Sequence, residues 1–96
     1  MNKQIRVFDR YMDKTHLTIT EEEVLFHSEQ LGVLDWSRDL VRTDKGYFVR
    51  EQKNVENANV NYYHISQTVA EQILQNEDKR EIYNLLKENT SYQALK

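Results

Sequence analysis

Three features of the 96-residue sequence predict an α+β fold class. Residues 20–31 read as a capped amphipathic helix. Residues 47–52 and 60–65 are two β-rich runs around a polar stretch. Two further helical stripes begin after Ser66 and Asp78. A chain of this length makes one domain with one core and little spare stability. That domain is expected over residues 1–89, with residues 90–96 as a frayed C-terminal tail.

Taken in order, residues 3–13 carry two patterns. Ile5, Phe8 and Met12 fit a helical stripe, while Ile5, Val7 and Tyr11 fit a strand nearly as well; a helix is favoured. Residues 16–19 alternate and suit a short strand. Thr20 can cap a helix, and Glu23 three residues on completes a capping box. Ile19 and Val24 are placed for a hydrophobic staple, and three glutamates suit the positive end of the helix dipole. Val24, Leu25, Ser28 and Leu31 would share a face, and Gly32 would end the helix.

Residues 34–42 admit two readings. As a helix, Asp35 caps and Trp36 and Leu40 point inward. As a strand, residues 40–42 turn through the four-residue loop Thr43, Asp44, Lys45, Gly46 into residues 47–49. Residues 47–52 are a strand either way, residues 54–59 a polar loop, and residues 60–65 the returning strand of a long hairpin. Ser66 then opens a helix with Val69, Ala70, Ile73 and Leu74 on its apolar face. That stripe fails from Asn76 to Arg80. Asp78 and Glu81 offer a fresh cap, and Ile82, Leu85 and Leu86 begin a new face. Two helices, about 67–76 and 79–89, are predicted.

Composition narrows the function classes. Hydrophobic residues make 39% and charged residues 30%, which fits a folded domain. There is no cysteine, so disulfides, thiolate zinc sites and cysteine nucleophiles are excluded together. Two isolated glycines, Gly32 and Gly46, cannot build a glycine-rich phosphate loop. Residues 1–10 hold no apolar run of signal-peptide length and nothing approaches a membrane span, so a cytoplasmic location without membrane contact is expected. The net charge of −3 is unevenly spread. Residues 15–35 carry five acids and no Lys or Arg, whereas residues 36–53 carry five basic residues against three acidic ones.

The stretch Ser28-Glu29-Gln30-Leu31-Gly32-Val33 resembles the turn of a helix-turn-helix, where a small residue precedes the turn glycine by four. The run from Gly46 to Leu74, with Tyr47-Phe48-Val49-Arg50, a polar tip and Tyr62-Tyr63-His64-Ile65-Ser66 entering a helix, looks like the wing of MarR- and PadR-type regulators. The resemblance to the winged helix-turn-helix superfamily implies a sequence-specific binder of double-stranded DNA. It would be a small transcription regulator or an accessory factor of a mobile element or phage, dimeric through its C-terminal helices. Ser37, Arg38 and Arg42 would then lie on or near the recognition helix, and Lys45, Arg50 and Lys53 on the wing. The competing architecture is a three-stranded antiparallel meander flanked by helices.

The acidic set Glu21, Glu22, Glu23, Glu29, Asp35 and Asp39 supports a different function: a protein-binding module, such as a phage-type inhibitor or adaptor, docking on a basic protein surface. An enzyme is not expected, and neither is a metal or cofactor. His16, His27 and His64 are far apart in sequence, and the nearest candidate pair, Glu23 and His27 one helical turn apart, is ordinarily a surface ion pair.

Overall fold

Alternating Ile5 and Val7, both buried, form a strand instead of the favoured helix: β1, Lys3–Phe8. The helical spacing of Phe8 with Ile5 arises because Phe8 packs on the opposite side of the strand, stacked on Tyr63 at 5.4 Å between ring centroids. These observations come from a computed structural model, which describes residues 2–8, 14–28, 36–53 and 60–90. Strand β2 is Lys14–Ile19 and pairs antiparallel with β1.

The expected helix over residues 20–31 is absent from its described part. Residues Glu22–His27 form strand β3. Thr20 does not cap a helix; its backbone N–H and that of Glu21 donate to the Asp44 carboxylate, at 2.8 and 3.4 Å. A bulge between Val24 and Phe26 hid the strand's two-residue period. Leu25 and Phe26 both pack on the helix-covered core as a result, which mimics a helical apolar face. Glu29, Leu31, Gly32 and Asp35 lie outside the described residues.

Residues 34–42 resolve in favour of the strand over their described part. Strand β4, Trp36–Thr43, pairs with β5, Gly46–Lys53. Thr43 and Gly46 are themselves paired, so the expected four-residue loop is a two-residue turn, Asp44-Lys45. Gly46 takes a φ of 117°, a conformation open to glycine. Strand β6, Val60–Ile65, returns antiparallel along β5 and then lies parallel to β1. Helix α1, Gln67–Leu74, is capped by the Ser66 hydroxyl accepting from the Val69 N–H. Helix α2, Lys79–Glu88, is capped by Asp78 accepting from the Arg80 N–H.

The sheet order is β2-β1-β6-β5-β4-β3. A winged helix-turn-helix is therefore overturned: where it needs a supporting and a recognition helix, the described residues form β3 and β4. The three-stranded meander also falls short, because β4, β5 and β6 are only half of a six-stranded mixed sheet. The class is α+β, with the two helices lying after the last strand.

The sheet is strongly curled. Its two outermost strands, β2 and β3, are joined by only Thr20 and Glu21. In a flat sheet β1 and β3 would stand four strand spacings apart, roughly 19 Å. Instead the Lys3 ammonium on β1 lies 3.2 Å from the Glu22 carboxylate on β3. The curl creates an inner layer of Ile5, Val7, Ile19, Val41, Phe48 and Tyr62, and none of the described helix residues belongs to it. On the outer side, α1 and α2 pack on β5 and β4 and bury Leu40, Val49, Tyr63, Ala70, Ile73, Ile82 and Leu86. Leu40 and Val41, adjacent in sequence, are both fully buried, one on each side. Two-sided burial removes the polar alternation that marks a strand.

Candidate functional site

The cross-strand register determines what the charged residues do. Asp39 stands opposite Arg50, and Arg38 opposite Glu51. Directly opposed side chains share a face, and neighbouring pairs alternate between faces. Asp39 and Arg50 therefore belong to the inner side, whereas Arg38 and Glu51 lie under the helices.

On the inner side, the Arg50 guanidinium bridges two carboxylates, Asp39 at 2.7 Å and Glu22 at 3.3 Å. Asp39 also accepts from the Ser28 backbone N–H at 3.2 Å and pairs with His27 Nδ1 at 2.9 Å. Because a carboxylate only accepts, His27 Nδ1 carries the hydrogen of this bond. Glu22 additionally receives hydrogen bonds from Lys3 and the Tyr62 hydroxyl. Burial by itself would raise the Glu22 carboxyl. The hydrogen bonds from Tyr62 and Lys3 and the Arg50 charge outweigh it and hold the group below the ordinary glutamate value. Tyr62 moves the other way, raised by burial and by its bond to Glu22.

A folded state that binds the Glu22 proton more weakly than the unfolded chain gains stability as pH rises. That gain is complete above the unfolded glutamate value, about 4.3, and is lost as pH falls through the lower folded value. Urea unfolding followed between acid and neutral pH is expected to show a drop on the acid side. Glu22→Gln is expected to flatten part of it. An unchanged pH slope in the variant would show that Glu22 contributes nothing to it.

On the outer side, Arg38 is 8% exposed and fully engaged. It meets Glu51 at 2.8 Å, the Tyr83 hydroxyl at 2.9 Å and the Thr90 hydroxyl at 3.1 Å. Tyr63 donates to the other Glu51 oxygen at 3.3 Å. This cluster ties the end of α2 to the sheet.

The residues expected to contact DNA are thus dispersed. Arg38 is buried beneath α2, and Arg50 lies among the inner carboxylates. Arg42 is exposed but ion-paired with Glu23. Lys45 sits in the β4–β5 turn, 3.6 Å from Asp44. Ser37 is half-buried and has a bonding partner. Lys53 ends β5, with its side chain outside the described set. The acidic set fares likewise: Glu22 and Asp39 are on the inner side, Glu23 is on Arg42, and Glu21 alone of the described four is exposed without an ion pair. Ion pairs join the candidate sets to each other across β3, β4 and β5, Arg42 with Glu23 and Arg50 with Glu22 and Asp39.

Glu23 and His27 do not meet as a helical pair. Glu23 stands opposite Arg42 and His27 opposite Asp39, on different faces of β3. Ser28, read as the small residue of a helix turn, instead accepts from the Arg38 N–H at 2.9 Å. Lys3, His27, Glu51 and Tyr62 are absent from both candidate sets, and of these only Glu51 carried a signal in the sequence. Matching Thr43 with Gly46 aligns Arg38 with Glu51 and Asp39 with Arg50, two complementary pairs in succession.

One open cleft of about 350 Å³ is lined by Glu21, Glu22, Glu23, Arg42 and Thr43. Its lining is charged, unlike the mostly apolar walls of small-molecule sites. Among the described residues no three metal-ligating side chains cluster, and no helix is long and apolar enough to cross a membrane. No family model, no curated protein and no solved structure matches this chain.

Proposed function

We propose that this chain is a protein-binding module that acts by stoichiometric contact, without catalysis. One observation carries the reading: Arg38, Arg42, Lys45 and Arg50, the described cations of the basic stretch, each face a carboxylate of the same chain. Phosphate binding depends on cations exchanging counterions with the backbone. An arginine held by a buried carboxylate would have to abandon it first. The chain also lacks a helix where a groove reader was expected, since residues 36–43 are β4. The apolar faces of α1 and α2, expected to join two copies, are occupied by the chain's own sheet: Ala70, Ile73, Ile82 and Leu86 are buried there. A compact sheet scaffold with surface strands favours recognition of another polypeptide.

The test pairs two measurements on the folded chain. A gel-shift titration at low salt against duplex DNA from its own locus is expected to show no discrete complex. Affinity capture from its native lysate, followed by crosslinking, is expected to return a protein at fixed stoichiometry. A discrete, salt-sensitive duplex complex would overturn the reading in favour of DNA.

A further inference from the structure

We infer that the corner where the β2–β3 link meets the β4–β5 turn is an acid-sensitive latch: Asp44 and Glu22 hold the two ends of the sheet together while ionised and release them when protonated. The inference goes beyond the protein-binding reading and does not depend on it. Strands β2 and β3 stand at opposite ends of the strand order, yet only Thr20 and Glu21 connect them. That link is held from across the corner by Asp44, one carboxylate oxygen of which accepts from the Thr20 N–H at 2.8 Å and from the Glu21 N–H at 3.4 Å. The next residue, Glu22, meets Lys3 of β1 at 3.2 Å. One carboxylate thus fastens the link to the β4–β5 turn, and the other fastens the start of β3 to β1.

The turn is built to present Asp44. The Thr43 hydroxyl donates to the Gly46 carbonyl at 3.0 Å and accepts from the Lys45 N–H at 2.9 Å, which fixes the backbone on both sides of the carboxylate. Both link residues are exposed, whereas Ile19 before them is fully buried in the inner layer. The link can therefore part from the turn without uncovering an apolar side chain. What changes is the charged cleft, because Glu21 and Glu22 line it from one side of the corner and Thr43 from the other. Asp44 faces the two link N–H groups and, within its own turn, Lys45 at 3.6 Å. Glu22 faces Lys3 from β1, Arg50 from β5 and the Tyr62 hydroxyl from β6, and Asp39 of β4 shares Arg50. Glu23 and Arg42 line the same cleft. The hydrogen bond from the Thr20 N–H, joined by that from Glu21, outweighs the opposing effect of burial and holds the Asp44 carboxyl below the ordinary aspartate value. Glu22 is held low as well. The latch is therefore closed above the ordinary carboxyl values, about 3.9 for Asp and 4.3 for Glu, and opens as pH falls through the lower folded ones.

The unaltered full chain is followed by amide and carboxyl NMR from neutral pH into acid. The Thr20 and Glu21 amide signals are expected to move together with the Asp44 carboxyl, at a midpoint below about 3.9, while the amides of Leu40 and Val49 keep their native positions. Asp44→Asn keeps an acceptor oxygen and removes the charge, and is expected to flatten that titration with the fold intact. At neutral pH, Asp44→Ala is expected to speed hydrogen exchange at the Thr20 and Glu21 amides by about fivefold, the scale of a charge-assisted hydrogen bond discounted for its contact with water. Exchange at Leu40 and Val49 should stay unchanged. Link amides that do not move in acid, or that exchange no faster in Asp44→Ala, would overturn the inference. So would an Asp44 or Glu22 midpoint at or above its ordinary value. Movement of the link amides that appears only together with loss of native signals throughout the sheet would also overturn it, by making the corner part of global unfolding.

Discussion

Arg38→Ala is expected to lower the unfolding free energy by about 3–5 kcal/mol, the range for stripping one partner from a buried ion pair. The loss does not come from the Arg38–Glu51 attraction alone. Removing the guanidinium leaves Glu51, itself 6% exposed, as a buried charge that keeps the Tyr63 hydroxyl as a donor but has lost its counter-ion. It also deprives the Tyr83 and Thr90 hydroxyls of the donor that joins them to β4. A domain of this size has about 5–15 kcal/mol in total, so the variant will sit near its unfolding threshold. Glu51→Ala is expected to behave alike. The double variant Arg38→Met, Glu51→Leu removes both charges and keeps apolar volume, and much of the loss should return. Urea denaturation of these proteins measures this, and adding the double variant Arg38→Ala, Glu51→Ala closes a cycle whose coupling isolates the pair. A loss below about 1 kcal/mol for Arg38→Ala would place the residue in the class of surface pairs and contradict the packed arrangement under α2.

The same pair shows why much of the site escaped a reading by segments. Helix positions were legible because Ser66 and Asp78 act locally: each accepts an N–H two or three residues on, and the helices begin where those caps stand. The β5–β6 hairpin was legible from its β-rich runs. Residues 22–27 were not, because the bulge at Leu25 breaks the two-residue period that a strand imposes, and a glutamate triplet is equally good chemistry for a helix start. What Glu22 and Glu23 serve is set by distant residues. Glu22 meets Arg50 and Lys3 only because the sheet curls, and no spacing within residues 20–31 encodes that meeting. Charges 28 residues apart along the chain, Glu22 and Arg50, look like rival surfaces until the fold places them 3.3 Å apart.

Phe48→Ala tests the curl that produces those contacts, and its expected effect is about 3–5 kcal/mol, the range for truncating a fully buried Phe. Phe48 occupies the inner side of β5, in a cluster to which none of the described helix residues belongs. On a flat sheet covered only on its outer side, that position would face water, and truncation would cost within about 0.5 kcal/mol, as at ordinary surface sites. In the curled sheet Phe48 is 0% exposed and edge-on to the rings of Tyr62 and His64, at 5.8 and 5.2 Å between centroids. Its loss would open a void bounded by Tyr62 and the rest of the inner layer. Tyr62 also donates its hydroxyl to Glu22, so a shift of that ring would be felt in the ion cluster. The expected result is therefore a large loss in urea denaturation together with a weakened acid-side dependence, because Glu22 would lose part of the environment that lowers its carboxyl. A near-neutral Phe48→Ala would mean that β2 and β3 do not come together, and the inner cluster would lose its basis along with the curl.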